Sequence, residues 1–228
     1  FVFLKFMRFL RAIKFKFEFH NWFDELIPIQ ISNLTKAGVL RTDIIATGIF
    51  LGAAEAGLYS IAQKLAQPIT LIARTIFAAT GYLISRFYEL KEYDKLYHSV
   101  WLSTLFAFVG SVFYIILVLM TGELIISAIS SEYLSAFPIL IILSIALFFD
   151  SVASPSSQFL LICGYPKTLI LFNLGGFLIY IIFLFASANI TSGISIAFSV
   201  LISLFLINFA CMFLSYRVLM NITQTKSA

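Results

Sequence analysis

Ionisable residues lie inside stretches of sequence that are otherwise apolar: Lys36, Arg41 and Asp43, then Lys64 and Arg74, and far downstream Asp150. A charge near the middle of a bilayer costs roughly 2.5–3.5 kcal/mol on insertion scales, so four such cations cost on the order of 10 kcal/mol unless water or partners solvate them. Their surroundings favour a polar cavity. Gln63, Gln67, Thr70 and Arg74 follow steps that place them on one narrow helical stripe, with Leu65, Ile69, Ile72 and Ile76 on the opposite face. Lys36 and Asp43 lie about two turns apart and share a face, whereas Arg41 points away by roughly 140–200°. The alternative is that Lys36 or Arg41 pairs with Asp43 or Asp150 to lock helices together. Two carboxylates cannot neutralise four cations, so a net positive interior remains, and it suits a phosphate or carboxylate that Arg meets with a bidentate fork. The candidate substrate-binding residues are Arg41, Asp43, Gln63, Lys64, Gln67, Thr70 and Arg74. Lys36 and Asp150 are candidates for an ion pair or for coupling.

Other chemistry has no carrier in the sequence. It contains no phosphate-binding glycine loop, no HExxH pair and no Ser-His-Asp set. His20 and His98 fall in polar surface segments, and Cys163 and Cys211 sit far apart in apolar surroundings without metal spacing. No catalytic residue, cofactor, metal or nucleic-acid partner is expected.

These residues must be positioned by membrane helices. The chain is 61% hydrophobic and 11% charged, with 26 Phe among 228 residues and a mean hydropathy of +1.02, too little polar surface for a soluble domain. The apolar runs have the length of a spanning helix, which predicts an all-α membrane protein with membrane lipids as its surroundings. Six spans are expected, at about 26–50, 58–84, 99–120, 136–162, 168–188 and 194–219, forming one bundle over 26–222. Pro68 should kink or loosen the second. Residues 1–25 read as a basic, aromatic interfacial segment and 223–228 as a tail.

Lys and Arg alone decide orientation. Lys5, Arg8, Arg11, Lys14 and Lys16 precede the first span; Arg86, Lys91 and Lys95 follow the second; Lys167 follows the fourth; Arg217 and Lys226 close the chain. The remaining connectors hold neither residue, so both ends of this segment are expected in the cytoplasm. One outer connector, 122–133, reads as a short helix lying flat on the surface, and CGYPK at 163–167 reads as a tight turn. The chain begins FVFLKF without an initiator Met, which suggests a segment internal to a longer protein.

The stretch RTDIIATGIFLGAAEAGLYSIAQKLAQPI resembles the region of the seventh and eighth helices of polysaccharide-biosynthesis flippases, the O-antigen repeat-unit transporters of the multidrug/oligosaccharidyl-lipid/polysaccharide exporter superfamily. The likeness rests on Arg41 and Asp43, the run Gly48 to Gly52, Glu55, Gly57, Tyr59, Ala62, Lys64, Leu65 and Pro68, and then on ISRFYEL and ICGYPK. It implies two six-helix lobes around a cavity in a MATE-like fold, of which this chain is the second, and alternating access by rocking. It further implies a bacterial inner-membrane flippase for an undecaprenyl-diphosphate-linked oligosaccharide, with a missing N-terminal half and a polysaccharide polymerase as partners. Lipid II flippases and cation-coupled drug exporters of the same fold are the alternatives within transport, and a non-transporting scaffold the alternative outside it.

Overall fold

The computed structural model describes residues 19–186 and 192–224; within these, the side chains of 19–26, 28, 29, 32, 33, 36, 39, 40, 223 and 224 are not described. The expected interfacial segment up to residue 18, the connector near residue 189, the tail from 225 and the Lys36 side chain therefore lie outside the described residues.

Every regular element among the described residues is helical: α1 Phe19–Leu51, α2 Ala53–Ala66, α3 Pro68–Glu89, α4 Tyr93–Ile129, α5 Phe137–Ile162, α6 Pro166–Ala186 and α7 Gly193–Gln224, with a 3-10 turn at Ser131–Ala136. Five segments are long and apolar enough to cross a membrane: Ala53–Glu89 (α2 with α3), Tyr93–Ile129, Ser131–Ile162, Pro166–Ala186 and Gly193–Ile222. α1, at 33 residues, has the length and differs from them by carrying Lys36, Arg41 and Asp43 within two turns. The chain is an all-α, multi-pass membrane protein.

Local chemistry explains the helix ends. α1 and α2 are separated by Gly52 alone, at φ +91°, a conformation that residues with a Cβ rarely adopt. The connector expected at 52–57 is thus a single glycine, because Ala53 onward already has the composition of a helix. α5 ends in a Schellman motif: Gly164, at φ +83°, donates to the Leu161 carbonyl at 3.2 Å, and Tyr165 donates to Leu160 at 2.9 Å. Pro166 then opens α6, as the CGYPK spacing predicts. α3 closes the same way with Lys91 at φ +56° in the left-handed position.

Two expectations are corrected. The flat outer helix at 122–133 does not exist as a separate element, since α4 continues unbroken to Ile129 before the 3-10 turn. Gly122 does not end the helix. A Cβ there would meet the Phe137 ring at 2.9 Å, so the missing side chain lets α4 and α5 approach. The polar connector expected over 86–98 shrinks to the turn between Glu89 and Tyr93, because its amphipathic flanks are the last turn of α3 and the first of α4.

α5 is the central helix, packed against α7, α4, α3 and α2, while α1 packs on α2, α6 and α7. Lipid offers no hydrophobic drive for this association, so close approach through small residues matters. The tightest contact is at Gly176 of α6. Its Cα faces Ile207 of α7, and its carbonyl accepts from the Ser203 hydroxyl at 2.7 Å. Among the described residues, α1 and α3 do not touch.

Candidate functional site

The break between α2 and α3 sets the geometry of the polar stripe. Pro68 has no N–H to donate, the Thr70 N–H turns to the Gln67 carbonyl at 2.9 Å, and the Tyr114 hydroxyl of α4 reaches across to the Leu65 carbonyl at 2.5 Å. A donor from a neighbouring helix thereby serves backbone beside the interruption, as apolar surroundings require. Beyond this break α3 leaves α1 behind.

The stripe therefore has two environments. Along α2 it faces α1 and is buried. The Asp43 carboxylate, fully buried, accepts at one oxygen from the Ile44 N–H at 2.7 Å, and at the other from the Tyr59 hydroxyl at 3.1 Å and the Gln63 amide at 2.9 Å. Thr47, one turn on, is also buried and donates to the Asp43 carbonyl at 2.7 Å. Tyr180 of α6 lies in the same core cluster, its buried hydroxyl without a hydrogen-bond partner. Spacing could have found this group: Asp43 with Thr47, and Tyr59 with Gln63, are each one helical turn apart and so share a face. What spacing could not show is that the two faces meet.

Along α3 the stripe has no α1 against it. Gln67 and Arg74 are exposed and Thr70 is half-buried, donating to the Gln67 carbonyl at 2.8 Å. Lys64, one position from Gln63, is exposed on the outer side of α2, and Arg41 is exposed on α1. Lys95 and Glu92 form an ion pair at 3.0 Å. Among the described residues, Arg41, Lys64 and Arg74 have no carboxylate partner, and Asp43 does not hold Arg41, because two residues along a helix turn the side chains about 200° apart. The expected grouping of seven residues thus divides into Asp43 and Gln63 inside and Arg41, Lys64, Gln67 and Arg74 outside, with Thr70 between.

Asp150 of α5 is nearly buried. The Asn208 amide of α7 approaches it at 3.5 Å and donates to the Leu204 carbonyl at 2.8 Å. Asn208 thus joins α7 to α5, the most extensively packed helix pair. Cys163 caps α5 beyond the span; burial pushes its thiol up to about 12, which keeps it protonated and a poor nucleophile. Cys211 is buried in the core.

An arginine on a helix face that also exposes Leu34, Ile45 and Ile49 is not a group that lipid solvates. The bundle has the form of a MATE-like lobe, with Arg41, Lys64 and Arg74 exposed on its surface. No curated protein and no solved structure matches the chain. The family model for MatE matches residues 28–186, and the chain belongs to this family of membrane transporters.

Proposed function

We propose that this bundle forms one wall of the cavity of a flippase that moves a lipid diphosphate-linked oligosaccharide across the bacterial inner membrane by alternating access. The carrying observation is that Arg41, Lys64 and Arg74 stand exposed on α1, α2 and α3 without carboxylate partners among the described residues, on a surface that also exposes Leu34, Ile45 and Ile49. A diphosphate headgroup supplies the anion these cations lack, and Gln67 and Thr70 beside Arg74 supply hydrogen bonds for sugar. A second six-helix bundle provides the opposite wall, both ends of this segment face the cytoplasm, and a polysaccharide polymerase receives the product.

Asp43 has a different role in this reading. Its carboxylate is held only by neutral donors, so a proton or another monovalent cation can come and go without breaking an ion pair, and the carboxylate couples transport to an ion gradient. The same feature favours a second reading, a cation-coupled exporter of small cationic compounds. Such a protein would line its cavity with acids, whereas here the exposed groups are basic.

The test uses Arg41→Ala and Arg74→Ala in the full-length protein. The flippase reading expects surface polysaccharide to fall at least tenfold, with partial recovery in the Lys replacements. Normal polysaccharide in both Ala variants, together with loss of drug resistance in Asp43→Asn, would establish the exporter instead.

A further inference from the structure

We propose that Tyr180 of α6 is a second partner for the Asp43 carboxylate, which passes from the donors of α2 to this hydroxyl when α2 moves. Tyr180 is fully buried, yet among the described residues its hydroxyl has no hydrogen-bond partner. A buried tyrosine hydroxyl ordinarily finds one, and leaving it unpaired costs free energy that a phenylalanine would not. The hydroxyl therefore serves a state other than the one in which Tyr59 and Gln63 hold Asp43.

Two contacts set the level at which Tyr180 meets α1. A Cβ on Gly38 would lie 3.6 Å from Phe177 Cε2, and the rings of Phe50 and Phe185 stand 6.3 Å apart between centroids. The two helices thus run side by side in the same direction. Asp43, five residues beyond Gly38, comes level with Tyr180, three beyond Phe177. Electrostatics agree, since the charge on Asp43 acts on the hydroxyls of Tyr59 and Tyr180 alike. Asp43 stands between occupied donors on α2 and a spare hydroxyl on α6.

The moving element is α2 itself. Its 14 residues lie between two joints: Gly52, at φ +91° with open space where a Cβ would be, and the break at Gln67 and Pro68. Tyr114 anchors the inner joint to α4, so α2 pivots there and swings at its outer end. In the exchange Asp43 gives up Tyr59 and Gln63, gains Tyr180 and keeps the Ile44 N–H. The net loss is one hydrogen bond, which leaves the second state within reach of a bound ion or substrate. Lys64 lies on the exposed side of α2 and is carried with it. An event at Asp43 thereby reaches the cationic surface; this use of the exchange, though not the exchange itself, rests on the coupling role proposed above for Asp43.

Pulsed electron spin resonance on the full-length protein, with spin labels at Gly57→Cys on α2 and Leu178→Cys on α6, both exposed positions, reads the exchange. Removing the α2 donors with Tyr59→Phe and Gln63→Leu should raise a second label distance about tenfold relative to the first, as the loss of two hydrogen bonds gives. Adding Tyr180→Phe should abolish that second distance. A second distance that survives Tyr180→Phe, or that never arises when the α2 donors are removed, overturns the proposal. Tyr180→Phe alone should leave the melting temperature in detergent unchanged or higher, because no partner is lost. A fall of more than about 2 °C shows the hydroxyl already engaged, by water or by protein, and overturns the proposal as well. If surface polysaccharide is normal in Asp43→Asn, the coupling role fails, and the label distances still decide the exchange.

Discussion

The two halves of the broken second span carry one polar stripe and treat it in opposite ways. On α2, Gln63 turns inward and, with Tyr59, closes around Asp43; past it, Gln67 at the break and Arg74 on α3 turn outward with nothing of α1 against α3. The residues are of similar kinds, and their spacing continues across Pro68. The difference comes from the neighbour: a polar side chain facing another helix must find a partner there, and one facing open surface must find water or ligand. Intramembrane polar residues on a single helix face can therefore serve two distinct roles.

Breaking the inner half should have the largest effect. Asp43→Ala leaves the Tyr59 hydroxyl and the Gln63 amide without their acceptor, and thermal unfolding in detergent should register a loss on the order of 3 kcal/mol. Asp43→Asn keeps the size, so its loss should be smaller; an equal loss in both would show that charge, not hydrogen bonding, holds the cluster. Gly176→Ala should follow. A Cβ there would collide with Ile207 Cδ1, and forcing α6 and α7 apart costs about 1–3 kcal/mol. Tyr114→Phe removes the donor to the Leu65 carbonyl and should cost about 1 kcal/mol by the same measurement. An unchanged melting temperature would mean that water serves the carbonyl instead.

The outward-facing cations should be silent in stability. Arg74→Ala and Lys64→Ala lack partners to lose and should change unfolding by less than about 0.5 kcal/mol, even where transport fails. Thiol labelling sharpens the contrast further. Gln67→Cys should react with a water-soluble maleimide and Gln63→Cys should not, against a low background from native Cys163 and Cys211. Equal labelling at the two positions would dissolve the distinction between the halves.

Much of the fold was legible in advance. The spans expected at 136–162 and 168–188 differ little from α5 and α6, because Pro and Gly punctuate them at Pro138, Gly164 and Pro166. The break at Pro68 was legible for the same reason. The flat outer helix was misjudged because Gly122 has two meanings in a helix, an end or a close contact, and only the Phe137 ring beside it decides between them. Likewise, Asp150 was legible as a buried charge, but only the packing of α7 on α5 places Asn208 beside it.

By itself, the sequence determined that the chain lives in a membrane as a bundle of helices and where α5 and α6 begin and end to within a few residues, while it left α1, α3 and α4 short because their polar ends read as connectors. These follow from local composition, from the cost of unpaired backbone in lipid and from the fixed period of a helix. Only the tertiary structure decided that Asp43 meets Tyr59 and Gln63 while Arg41, Lys64 and Arg74 do not join them. Periodicity assigns each residue a face of its own helix, but which faces meet depends on how helices pack, here on α1 following α2 and parting from α3.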